Sequence, residues 1–187
     1  MATALDSPIP PNRNPSFKLT EYVNDLTIND SLLMNQITSH FWQNIYSHQP
    51  VCQIPGLEVQ FKIETIDVIQ NKKLQENYED LKNQAIETRE IIVFHGFETK
   101  IEAEKSAKSN IKARQIGMQS GVVVYRNPML AMARQGLYLM ACKALFENGC
   151  SVGPIILKMK DQILPIGILN LRFDVLPRAN LQVCTFG

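Results

Sequence analysis

The sequence predicts an α+β fold, in which strands and helices are mixed without the regular alternation of a parallel sheet. Three observations predict it. The runs 91–94 (IIVF) and 121–125 (GVVVY) have the length and β-branched composition of buried strands. The stretches 30–47 and 71–86 carry apolar residues at helical spacing. Beyond residue 150 the chain returns to short apolar runs broken by proline and glycine, a strand-rich end. The 187 residues are one domain's worth of chain, long enough to bury a sizeable core.

The elements follow in order. Residues 1–17, with prolines at 8, 10, 11 and 15, read as a disordered lead-in, which leaves 18–187 as a single domain. A first helix spans 30–47, with Asp30 or Ser31 as its cap and Leu33, Ile37, Phe41 and Ile45 on one stripe. Trp42 lies beside that stripe, and Phe41 with Trp42 is the candidate partner-binding pair; the plainer reading is core packing. After Pro50 and Pro55-Gly56, residues 57–63 alternate apolar and polar as a strand with one wet face. Leu74, Tyr78 and Leu81 then define an amphipathic helix over 71–86. The strand 91–94 ends at His95-Gly96, where glycine is expected to start a turn. Thr99, with Glu102 three positions on, predicts a capped helix over 99–113. Gly117 and Gly121 bracket a loop before the strand 121–125. Pro128 suits the first turn of a helix, which the apolar content extends to 147, with a stop at Asn148-Gly149. A strand is expected at 154–160, and further short strands near 163–173 and 180–186, with Pro165, Gly167 and Pro177 at turns.

Composition excludes several classes. No apolar run approaches the ~18 residues of a membrane span, and the N-terminus lacks the apolar core of a secretory signal. Cys52, Cys142, Cys150 and Cys184 show no CxxC spacing and form no ligand cluster with His40, His48 and His95, which argues against a zinc site. The cysteines are expected as reduced thiols in a nuclear or cytoplasmic protein, with Cys142 as plain core in the apolar helix. Net charge is +1, but residues 1–111 hold 10 basic against 15 acidic residues and residues 112–187 hold 9 against 3. Such asymmetry marks either a dipolar surface or a face for nucleic acid or an acidic partner.

One resemblance is specific. The stretch IETIDVIQNKKLQENYEDLK, followed by FHG at 94–96 and then by a glycine-led strand and helix, is similar to successive motifs of poly(ADP-ribose) polymerases across residues 57–187. The resemblance implies a PARP-like ADP-ribosyltransferase fold, central antiparallel β-sheets flanked by helices, and a site that cleaves the nicotinamide–ribose bond of NAD. His95 would hold a ribose hydroxyl, and the backbone of Gly96 would hold the nicotinamide carboxamide. The family's remaining site residues fall on Val123, Ala131 and Arg134, in place of a tyrosine, a serine and a stacking tyrosine. The family's late glutamate has no counterpart, since only Asp161 and Asp174 follow Glu147. Each lost transition-state contact is worth on the order of 3–4 kcal/mol, so the pocket His95, Gly96, Val123, Ala131, Arg134 is expected to be vestigial. On that expectation His95 is a closed-pocket histidine hydrogen-bonded to backbone.

Within the family, GVVVYRNPMLAMA and SVGPIILKMKDQILPIG resemble the catalytically inactive pseudo-PARP domains of TASOR-like gene-silencing proteins. That likeness implies a scaffold for protein partners in nuclear or germline gene silencing, with the cytoplasm as alternative location, and with no cofactor, metal or membrane. Two other readings stand beside it. One is an active mono-ADP-ribosyltransferase with an atypical site built on His95 and Tyr125. The other is a nucleic-acid-binding module that uses the basic C-terminal half.

Overall fold

The computed structural model describes residues 16–20, 31–46, 57–84, 88–147 and 153–177. Helices and mostly antiparallel strands are mixed along the chain, as the α+β reading expects. The elements are β1 (Ser16–Thr20), α1 (Ser31–Tyr46), β2 (Leu57–Ile69), α2 (Lys72–Gln84), β3 (Thr88–Phe97) and α3 (Lys100–Ser109). They continue with β4 (Arg114–Ile116), β5 (Gln119–Val124), α4 (Pro128–Gln135), β6 (Tyr138–Glu147), β7 (Ile155–Leu157), a 3-10 turn at Lys160–Gln162 and β8 (Ile163–Pro177). A five-stranded sheet has the order β1-β2-β8-β6-β3, in which β1 alone runs parallel to its neighbour, and a three-stranded sheet has the order β4-β5-β7. A bridge between Phe94 and Tyr125, with N–O distances of 2.7 and 2.9 Å, joins β3 to the end of β5.

Two apolar clusters cover the faces of the larger sheet. On one, Met34, Ile37 and Phe41 of α1 pack with Leu74 and Tyr78 of α2, Met132 of α4 and Leu139, Ala141 and Leu145 of β6. On the other, Ala103 and Ala107 of α3 and Val122, Val124, Ile155 and Leu157 of the smaller sheet pack on Met140, Cys142 and Ala144 of β6. Alternate residues of β6 thus enter opposite clusters, the period-two signature of a strand buried on both faces.

That strand overturns the expected helix over 128–147. The helix stops at Gln135 because Gly136 takes φ 130 and lies against β3: a Cβ there would sit 2.2 Å from the Phe97 carbonyl oxygen. Only glycine fits both conditions. The following run reads as a helix because Met, Ala, Cys and Leu are apolar without β-branching, while burial on both faces erases the alternation that betrays a strand. Cys142 is core as expected, but in a strand rather than a helix.

Other boundaries move for similar reasons. β3 does not stop at 94; it runs through His95 and Gly96 to Phe97, because β6 pairs along its whole length. Pro165 and Gly167 lie inside β8, not at turns. The register steps from Ala141–Gly167 to Cys142–Pro165, so Ile166 is an extra residue in a bulge, where a proline's missing N–H does no harm. Gly121 sits within β5, and the turn is Gly117-Met118 alone. The expected strand 154–160 shortens to β7 before the 3-10 turn. The lead-in expected over 1–17 gives way to β1 from Ser16; its earlier residues, Asn148-Gly149 and the expected strand 180–186 lie outside the described residues. The predicted cap holds: the Thr99 hydroxyl accepts from the Glu102 N–H at 3.2 Å.

Candidate functional site

Three segments converge on the His-Gly step of β3. Asn127 caps α4 through its Oδ1, which accepts from the N–H groups of Met129 and Leu130, and Pro128 takes the first helical position. This short helix ends against Gly96, where a Cβ would lie 2.5 Å from the Gly136 carbonyl oxygen and 2.7 Å from that of Ala131. From β5 comes the carbonyl of Val123, within 2.7 Å of His95 Nδ1.

The centre of this cluster is Gln135, which the sequence reading did not single out. Its side-chain carboxamide is read at both ends. Oε1 accepts from the Gly96 N–H at 3.0 Å, and Nε2 donates to the Val123 carbonyl at 2.9 Å. The same Val123 oxygen takes the His95 hydrogen bond, so its two lone pairs are both used. A carbonyl can only accept, which assigns the proton of neutral His95 to Nδ1. The approach of Gln135 Nε2 to that nitrogen, 3.1 Å, is then a contact and not a second hydrogen bond.

His95 is 4% exposed and packs edge-on against Phe97 with ring centroids 4.7 Å apart. Burial lowers its pKa from 6.5 to about 4, helped by the positive charge of Arg114 and opposed by the Val123 hydrogen bond. The imidazole is therefore neutral at neutral pH.

The structure brings four of the five expected pocket residues together, in altered roles. His95 and Gly96 are consecutive on β3. Val123 contributes its backbone oxygen, and Ala131 is buried with its backbone oxygen over Gly96. Arg134 does not join them: it is exposed on α4, and Gln135 takes the inward position. Gln135, four residues from Ala131, and Arg134, three from it, lie on opposite flanks of the Ala131 face, and the flank turned to Gly96 is that of Gln135. That i, i+4 spacing was the available signal for Gln135. Tyr125 packs with Phe94 in the first cluster, while Val93 and Phe97, which flank His95 at period two, lie in the second. The Tyr125 ring and His95 therefore belong to opposite faces of the sheet, so Tyr125 gives no wall to the His95 pocket.

The candidate partner-binding pair also separates. Phe41 is fully buried, edge-on to Phe94 at 6.1 Å and to Trp42 at 5.1 Å, and Trp42 is half-buried against the same cluster. Phe41 is core and offers no contact surface. Cys142 is a free, fully buried thiol whose pKa burial pushes up, so it is unsuited to nucleophilic work. Among the described residues no cluster of three or more His, Cys, Asp or Glu side chains could hold a metal, and no helix is long and apolar enough to cross a membrane.

Compared with known proteins, the chain matches no family model and no curated sequence. Its class is therefore stated from fold and geometry as a mixed α+β domain with a closed histidine–glycine cleft.

Proposed function

We propose that the chain is a pseudo-PARP domain, a degenerate ADP-ribosyltransferase fold that performs no catalysis and serves as a protein-interaction scaffold. The observation that carries this reading is the carboxamide of Gln135 on the Gly96 N–H. In the family that the sequence resembles, that backbone group holds the nicotinamide carboxamide. Here a side chain of the same chain supplies the same functional group, so NAD must displace an intramolecular pair of hydrogen bonds that costs nothing in lost translational freedom. Four further features support the reading. Val123 and Ala131 supply neither aromatic wall nor hydroxyl, Arg134 points to solvent, and His95 spends its N–H on backbone. The likeness to TASOR-like domains extends the proposal to assembly of a gene-silencing complex in the nucleus, through protein partners and without cofactor or metal.

Calorimetric titration of NAD into the purified chain tests it. The expected result is no binding heat up to millimolar NAD, with a folded circular-dichroism spectrum. Binding tighter than about 100 µM, roughly −5.5 kcal/mol, or automodification seen by mass spectrometry, overturns it.

A further inference from the structure

The β4–β5 hairpin meets the His95 cleft at its base alone, through the Val123 carbonyl and the charge of Arg114. Its outer half stands clear of the core. Ile116 pairs with Gln119 across the two-residue turn Gly117-Met118, with Gly117 at φ 59. Gln115, Gly117, Gln119 and Ser120 are exposed, and Met118 at the tip is 102% exposed. Core packing resumes only at Gly121, where a Cβ would lie 2.7 Å from both Ile156 Cγ2 and the Leu157 carbonyl oxygen.

The base of this ribbon is basic. Arg114 lies directly across from Gly121 on one side. On the other, Lys158 follows Leu157, the partner of Val122. The outer strands β4 and β7 are thus separated by two strand spacings, about 10 Å, and a cation sits at the ribbon's base on each. Lys112 precedes Arg114, and Lys160 is held against the same region by Asn110, whose Nδ2 donates to the Lys160 and Ile163 carbonyls at 2.7 and 3.0 Å. All four cations are exposed. From Lys105 to Phe146 the chain holds seven basic residues and no acidic one.

We infer that this ribbon is a binding element for duplex DNA, with Met118 and Gln119 entering a groove, the Gln115 amide bracing the turn through its bond to the Gly117 carbonyl at 3.0 Å, and Lys112, Arg114, Lys158 and Lys160 on the flanking phosphates. A projecting two-stranded ribbon with an amide side chain and an apolar tip fits the major groove of B-form DNA, about 12 Å wide. The major groove of A-form RNA is too deep and narrow to admit it. Four exposed cations at the ribbon base, with Asp161 following Lys160 in the 3-10 turn, match the charge of a phosphate backbone. This inference is independent of whether the His95 cleft binds NAD.

The test is fluorescence anisotropy with a labelled 20-base-pair DNA duplex against the purified chain. Four neutralised phosphates give a slope of log affinity on log salt of about −3.6, a loss of roughly 150-fold between 50 and 200 mM salt. The double variant Arg114→Glu/Lys158→Glu is expected to lower the slope by about two units. Met118→Glu is expected to weaken binding at least ~10-fold at unchanged circular dichroism, through a carboxylate placed in the groove. The exposed α2 control Lys73→Glu changes neither. Three results overturn the inference: no binding at 50 mM salt, an unchanged slope in the double variant while Lys73→Glu alters it, or equal affinity for an RNA duplex of the same length.

Discussion

The carbonyl oxygen of Val123 accepts from both His95 and Gln135, and that double role decides the protonation chemistry of the cleft. A neutral imidazole with one N–H on backbone fits this arrangement, whereas a second ring proton would be buried beside Arg114. The pKa of His95 is about 4 in the fold against 6.5 unfolded, so the unfolded chain binds more protons below pH 6.5. The contribution to stability is fully present above pH 6.5 and is lost as pH falls towards 4, by about 3 kcal/mol in total. Urea denaturation at pH 7.5 and 4.5 is expected to show the native chain losing about 2–3 kcal/mol more than His95→Gln, which keeps a donor for Val123 without a titrating ring. Equal losses in the two proteins would count against this account. The sequence marked His95 and Gly96 because a histidine between an apolar run and a glycine is unusual. It did not mark Gln135, because a glutamine before a glycine in an apparent long helix looks like solvated surface.

At the level of elements, what was legible depended on whether one face stays wet. α2 has an exposed face and clear periodicity, and α3 was legible from its Thr99 cap, which could be placed to the residue, although the helix ends at Ser109 and not at 113. β6 has no wet face over its buried stretch, and its residues are helix formers, so pairing with β3 and β8 overrides local preference. Nothing in YLMACKALFE alone announces those partners. The available sign of the break, which the sequence reading passed over in favour of Asn148-Gly149, was Gly136. Substitution Gly136→Ala is expected to cost at least ~3 kcal/mol, from a φ that alanine rarely adopts and from a methyl group forced onto the Phe97 carbonyl. Thermal unfolding measures it: a melting temperature within about 3 °C of the native chain would show that the turn relaxes freely. The ion-pair cluster around Glu90 joins elements differently. Glu90 accepts from Tyr78 Oη and Lys82 Nζ of α2 and pairs with Lys143 of β6 at 3.2 Å. Burial pushes its carboxyl up, yet Lys82 and Lys143 outweigh this and hold it below the ordinary carboxylate range.

For the whole molecule, the order of strand-like runs and helical spacings foretold the mixed class, and exposed cations of the basic second half gather at the ribbon base. The order of strands was not legible, because register and neighbour choice are set by contacts distant in sequence. β8, the last described strand, lies between β2 and β6. Hydrogen exchange should follow this arrangement: backbone amides of β6 and β8, paired on both sides, are expected to exchange slowest, and those of β4 fastest. Slow exchange confined to α1 and α2 would contradict a sheet-centred core. The strand order also bears on how the protein is made. During synthesis β2 and β3 leave the ribosome early, yet β2 must wait for β8 and β3 for β6. Until residue 177 has emerged, β2 lacks its antiparallel partner and its hydrogen-bonding edge is open to other nascent chains. Slow translation or scarce chaperones would thus expose β2 first, making it the place where aggregation of the newborn chain begins.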